Sequence, residues 1–251
     1  MSRIIGVLNF KGGTGKTTTV VNLAVGLALR GSRVLCVDMD AQGSLATYFG
    51  AEYTYSLADL LLNQAEPQSC ITSVRENLDL IPSNANLLQA EGALWQMGNP
   101  NLAHQVLANK MQALADYEYI ILDYSPSISL LSQSSLLYTQ ELIVPVAMNY
   151  LALVGTRQVI QTLKTVGRVP GHSVQLSVIL PTFYYGRLRK DREIMETLER
   201  YFNGKVAHPI RANVKLSEAP SHQMSIYEYA SRSSGALDYA RLVERIATAH
   251  G

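Results

Sequence analysis

The chain has 251 residues, 47% of them hydrophobic and 16% charged, with a formal net charge of +1. That suffices for one large buried core within the span of a single α/β domain, and the near-neutral total says nothing by itself about nucleic acid. No stretch approaches the length of a membrane-spanning helix, and the first apolar run is a short strand broken by glycine and lysine. A transmembrane segment and a targeting signal are therefore excluded, and cytoplasm is the expected location. Cys36 and Cys70 stand outside any motif, which predicts buried reduced thiols rather than a disulfide or metal ligands.

The first run, Ile4 to Leu8, reads as a strand that opens into Phe10-Lys11-Gly12-Gly13-Thr14-Gly15-Lys16-Thr17-Thr18. Glycines at 12, 13 and 15 let successive backbone N–H groups turn inward without a Cβ clash, a nest for a β-phosphate at the positive end of the next helix. In such a loop Thr14 and Thr18 complete the cradle, Lys16 reaches the β- and γ-phosphates and the Thr17 hydroxyl ligates Mg²⁺. A nucleoside triphosphate is the implied ligand. The usual pattern asks for glycine five residues before Gly15; Phe10 stands there instead, followed by an additional lysine, Lys11, which taken alone is an exposed loop residue.

Short β-branched runs follow at Val34–Val37, Leu78–Ile81, Tyr119–Leu122, Leu142–Val146 and Val174–Leu180, alternating with helical patterns. This predicts an α/β P-loop NTPase domain spanning 1–251, with a mostly parallel sheet flanked by helices on both faces and the ligand at the strands' carboxyl ends. The stretch from Ala51 to Asn101 is the least regular and reads as short helices flanking one strand. Asp38 and Asp40 end the second strand in Asp-Met-Asp-Ala-Gln-Gly, and could be no more than turn-forming aspartates. Asp123 closes the run Tyr119 to Leu122, where a carboxylate holds magnesium through its water shell or simply caps the strand. Between Arg187 and Lys215 eight basic residues face four acidic ones. Arg187, Arg189, Lys190, Arg211 and Lys215 could contact DNA phosphates; equally, Arg189 with Glu193 and Glu196 with Arg200 have the spacing of a solvated helix.

The blocks NFKGGTGKTTTVVNLAVGLA, VLCVDMDAQGSLATYFG, YIILDYSPS, IVPVAMNYLALVG and VKLSEAPSHQMSIYEYASRSSGALDYARL resemble ParA-type ATPases of the ParA/MinD superfamily, in family order over essentially the whole chain. The resemblance implies an ATP- and Mg²⁺-dependent ATPase without an N-terminal helix-turn-helix. It implies a homodimer formed with ATP, non-specific DNA binding, and a small adaptor protein that stimulates hydrolysis, with no membrane partner. Lys11 is then expected to cross the dimer interface to the partner's nucleotide and to be catalytic together with Lys16 and Asp38. Asp38 is expected to activate the attacking water and share magnesium with Thr17 and Asp123. Asp40 belongs to the switch sensing the γ-phosphate, and Pro181, Thr182 and Phe183 to the nucleotide pocket. The resemblance also tips the basic residues toward DNA, and the expected location becomes the nucleoid.

Two departures, Ala41 where proline is usual and Tyr124-Ser125-Pro126 where a proline pair is common, bear on switch geometry. They raise an organelle such as the carboxysome as an alternative cargo to a plasmid or chromosome origin. A MinD-like membrane-associated regulator is disfavoured because Gly235 to Gly251 has only Arg241 and Arg245 as basic residues and no large apolar anchors. An iron–sulfur reductase would need cysteine ligands, and neither Cys36 nor Cys70 is in a ligand-like setting. A synthetase of the dethiobiotin type would not need Lys11 paired with the Asp-x-Asp switch.

Overall fold

The structure, a computed structural model, describes residues 2–96, 100–114, 116–169 and 172–249. Seven strands, β1 (Arg3–Val7), β2 (Val34–Met39), β3 (Thr72–Arg75), β4 (Leu78–Ile81), β5 (Tyr119–Tyr124), β6 (Glu141–Ala147) and β7 (Gln175–Thr182), form one sheet in the order β3-β4-β2-β5-β1-β6-β7. Every neighbouring pair is parallel except β3 with β4. The helices in chain order are α1 (Lys16–Ala28), α2 (Ser44–Phe49), α3 (Leu57–Leu61), α4 (Leu87–Gln96), α5 (Pro100–Met111), α6 (Leu130–Tyr138), α7 (Tyr150–Val166), α8 (Arg189–Tyr201), α9 (Val214–Glu218), α10 (Ile226–Ala230) and α11 (Ser234–Thr248).

The central strands are apolar on both faces because each face has its own core. In β1, Ile4 joins the core under α3 to α8, while Ile5 and Val7 join the one under α1 and α11. β2 divides in the same way, Leu35 and Val37 to the first and Val34 and Cys36 to the second. This is the period-2 alternation of a strand covered on both sides. Gly6 has a packing reason: a Cβ there would lie 2.8 Å from the ring of Tyr124, whose hydroxyl bonds Thr139 Oγ1 at 2.8 Å inside the core. The departure at Tyr124 is thus accommodated by a small residue on the neighbouring strand.

One expectation is corrected. The irregular stretch holds two strands, not one, because β3 pairs antiparallel on the outer side of β4. Thr72-Ser73-Val74-Arg75 has no apolar run to announce it; as an edge strand it is only partly buried and its register slips between Ser73 and Arg75. Both cysteines are free and buried. Among the described residues no helix is long and apolar enough to cross a membrane. The apolar side of α11, with Tyr239, Leu242, Val243 and Ile246, is buried in the core that includes α1.

Candidate nucleotide site

Between β1 and α1 the chain turns with Gly13 and Gly15 at φ of 69° and 87°, left-handed values that glycine adopts without strain. Gly15 is the N-cap of the 13-residue α1, which has no side-chain cap and no acidic residue in its first turn. Its free N–H groups therefore face the loop and favour an anion. Thr182 Oγ1 braces the loop by donating to the Thr14 carbonyl at 2.9 Å. Lys16 is buried, its Nζ donating to the Lys11 carbonyl at 3.3 Å; burial holds its pKa below the ordinary lysine value, opposed by Asp123 and Asp40. Lys11 turns the other way, with Nζ donating to Asn149 Oδ1 at 2.8 Å.

β2 and β5 are in register such that Asp38 lies beside Asp123. Both carboxyls are buried. Asp38 Oδ1 accepts the Asp40 N–H at 3.0 Å and Oδ2 the Leu45 N–H at 2.9 Å, so this side chain organises the turn from β2 into α2. Asp40 repeats the device one step out, accepting the Gln42 N–H at 3.0 Å. Burial pushes the Asp38 carboxyl up to about 7, an effect the two backbone bonds oppose. Asp123 is raised well above the ordinary value by burial and by Asp38, against the Thr17 hydroxyl and Lys16, and its Oδ1 is buried without a partner. An orphaned carboxylate oxygen beside a second carboxylate and a hydroxyl is an all-oxygen donor set suited to Mg²⁺ and its waters. The residues present fit that ion.

A cavity of about 430 Å³ adjoins the loop, lined among others by Gly15, Thr18, Thr182, Phe183, Asn213 and Pro220. Thr182 and Phe183 line this cavity beside the loop. Pro181 does not line the cavity: it is held in β7 opposite Val146, and its carbonyl accepts from Ile210. Asn213 has no sequence signal beyond turn-forming character, and Pro220 none beyond lying in the VKLSEAP block; both come from a segment some two hundred residues after the loop.

The basic residues separate. Arg187, Arg189 and Lys190 are exposed together at the start of α8, with Arg189 Nε on Glu193 at 2.8 Å. Lys215 pairs with Glu218 at 2.9 Å. Arg211 is committed elsewhere: its Nε and Nη2 grip the fully buried Asp238 at 2.9 and 2.7 Å, and it lines the cavity. Arg211 thus has a protein carboxylate as partner while its side chain stays partly exposed.

A family model described as an AAA domain matches residues 2–176. The chain is 36% identical over 254 residues to the sporulation initiation inhibitor protein Soj of Bacillus subtilis (strain 168), covering 98% of this chain and 99% of that one. It belongs to the ParA/MinD family. Another full-length relative of this ParA-family chain, at 32% identity over 100% of this chain and 99% of its own, is the chromosome-partitioning ATPase Soj of Treponema pallidum. Cobyrinic acid a,c-diamide synthase from Mycobacterium smegmatis, with bound ATP analogue and magnesium, aligns at TM-score 0.83 and 27% identity over 97% of this chain and 93% of that one. McdA from Cyanothece, without ligand, aligns at TM-score 0.88 and 19% identity over the whole of both chains, a likeness of fold. Homologous structures thus hold an ATP analogue or ADP with magnesium.

Proposed function

We propose that this chain is a Mg²⁺-dependent ATPase of the ParA type that pairs as a nucleotide-sandwich dimer, binds DNA without sequence preference while ATP is bound, and is released when an adaptor protein stimulates hydrolysis. It acts in the cytoplasm on the nucleoid. The observation that carries the reading is the joint placement of a glycine nest, the paired carboxyls of Asp38 and Asp123, and two lysines aimed in opposite directions. Lys16 sits inward, where it neutralises β- and γ-phosphate charge; Lys11 points away from its own loop, as a residue serving a second subunit's nucleotide must. Thr17, Asp38 and Asp123 would hold magnesium, which would supply positive charge to offset that of the phosphates. Asp38 holds and polarises the attacking water, and Asp40 ties the γ-phosphate to the turn leading into α2.

Full-length relatedness to Soj proteins supports a chromosome or plasmid locus as the cargo. The likeness to McdA supports the fold alone, so an organelle cargo has no support of its own. The test is sedimentation or light scattering with ATP and Mg²⁺, with ADP, and without nucleotide, followed by duplex DNA binding in the same three states. Dimer and DNA binding specific to ATP are expected; DNA binding equal with ADP would break the proposed switch. Stimulation of hydrolysis by a small metabolite instead of a protein would favour a biosynthetic enzyme.

A further inference from the structure

Lys11 is held at three points by residues outside the glycine nest. Its backbone N–H donates to Asn9 Oδ1 at 3.0 Å, and the fully buried Asn9 donates through Nδ2 to the Pro145 carbonyl of β6 at 2.8 Å. The first turn of the loop is thereby tied to the neighbouring strand. From α7, Gly155 closes on the same spot: a Cβ there would lie 2.6 Å from Asn9 Oδ1 and 3.3 Å from Lys11 Cβ. Asn9 has little room to yield, since both ends of its amide are bonded, so a side chain at 155 must shift Lys11 or break a buried hydrogen bond. Finally Lys11 Nζ rests on Asn149 Oδ1. An amide oxygen carries no formal charge, so it can aim an ammonium group and still give it up to a phosphate, which a carboxylate would do less readily.

We propose that Asn9, Asn149 and Gly155 form a cradle that keeps Lys11 directed away from its own phosphate loop and ready for the nucleotide of a second copy of this chain. The inference rests on the reading of Lys11 as a residue that acts across the dimer. All three are positioning residues that act through Lys11, and all but Asn9 come from the segment after β6. Their grip falls on the backbone N–H, Cβ and ammonium of Lys11, while the Lys11 carbonyl keeps its bond from Lys16, so the cradle acts on dimer formation far more than on nucleotide binding by the monomer.

The test uses the full chain and four variants: Lys11→Ala, Asn149→Ala, Gly155→Ala and the Asn149→Ala/Lys11→Ala double. Monomer affinity is read with a fluorescent ATP analogue, and self-association with ATP and Mg²⁺ by sedimentation at concentrations that still show a weakened dimer. Asn149→Ala and Gly155→Ala are expected to bind nucleotide within about threefold of wild type while dimer affinity falls about three- to tenfold, the scale of ordering at the interface one long side chain that nothing aims beforehand. On the Lys11→Ala background Asn149→Ala is expected to cost nothing further, since residues acting through one group are not additive. Wild-type dimers from Asn149→Ala and Gly155→Ala, with Lys11→Ala unable to dimerise, would overturn the cradle and leave the parent reading standing. Additive loss in the double variant would also overturn it, by giving Asn149 a contact of its own. A normal Lys11→Ala dimer would remove the parent reading and the cradle together. Should Gly155→Ala not fold, Asn149→Ala, at a partly exposed position between β6 and α7, still decides the matter.

Discussion

Asp38 serves two purposes that pull against each other. As a buried acceptor of two backbone N–H groups it shapes the turn from β2 into α2, and as a carboxylate beside Asp123 it is costly to ionise without a cation. Asp38→Ala should still bind ATP, but turn over at least roughly tenfold slower, because positioning and charge stabilisation supply most of the barrier reduction in phosphoryl transfer. Single-turnover hydrolysis beside nucleotide affinity measures this; wild-type turnover would remove Asp38 from the mechanism. The raised carboxyls also predict a pH dependence. A carboxyl whose folded pKa lies above its unfolded value takes up a proton on folding, so its contribution is greatest below about pH 4 and is lost as pH rises toward the folded value. For Asp38 that value is about 7. In EDTA and without nucleotide, wild type should therefore gain stability relative to Asp123→Asn between about pH 7.5 and 5.5, since the variant lacks the Asp123 carboxyl, which burial and Asp38 raise well above the ordinary value. Thermal melts of both proteins at the two pH values check it, and a constant difference would show that the pair is already relieved.

The loops carry constraints that the strands do not. Gly43, between β2 and α2, has φ of 64°, and a Cβ there would lie 2.5 Å from the backbone carbonyl of Ser83. Gly43→Ala meets both a left-handed penalty and a clash with backbone, and should cost about 2–4 kcal/mol in denaturant unfolding. Thr182→Val removes the side-chain bond from β7 to the Thr14 carbonyl of the phosphate loop while keeping shape. Loss of a buried hydrogen bond costs about 1–2 kcal/mol, so nucleotide affinity should fall roughly 5- to 30-fold by titration calorimetry with little change in fold. Gly13 and Gly15 could be read from the sequence because their left-handed φ suits glycine, whereas Gly12 has neither such a φ nor an atom that a Cβ would meet. Gly43 and Gly155 could not, because the atoms that exclude a side chain there lie in distant parts of the chain. β3 escaped for a related reason: an edge strand needs no apolar run.

Over the molecule as a whole, the positive charge between Arg187 and Lys215 is not one patch. Arg187, Arg189 and Lys190 are exposed on one stretch, whereas Arg211 is locked to Asp238. Removing Lys190 from each subunit of an ATP dimer should flatten the slope of log K against log salt for duplex DNA by about 2 units, since each phosphate contact releases close to one counterion. Arg211→Ala should instead leave the slope unchanged and lower stability by about 1–2 kcal/mol, because Asp238 loses its guanidinium partner but keeps the backbone N–H of residue 211. Filter binding across a salt series, set beside thermal melts, separates the two roles. An unchanged slope in Lys190→Ala would return that lysine to an ordinary solvated helix. The apolar side of α11 is occupied by the core it shares with α1, which argues against a membrane-seeking helix there more directly than its low basic content did.

Local chemistry is what the chain declares without its fold: a glycine nest ending in Lys-Thr, carboxylates closing apolar runs, strands apolar on both faces and hence a parallel sheet between two layers. Those features depend on residues close together in sequence, where backbone sterics and side-chain period act directly. The pairing of Asp38 with Asp123, the opposite headings of Lys11 and Lys16, the contribution of Asn213 to the cavity and the capture of Arg211 by Asp238 depend on strand order and helix packing. They bring together residues 27 to 138 positions or more apart, and no local pattern records such distances. The fold alone made these contacts, because strand order and helix packing decide which distant residues meet.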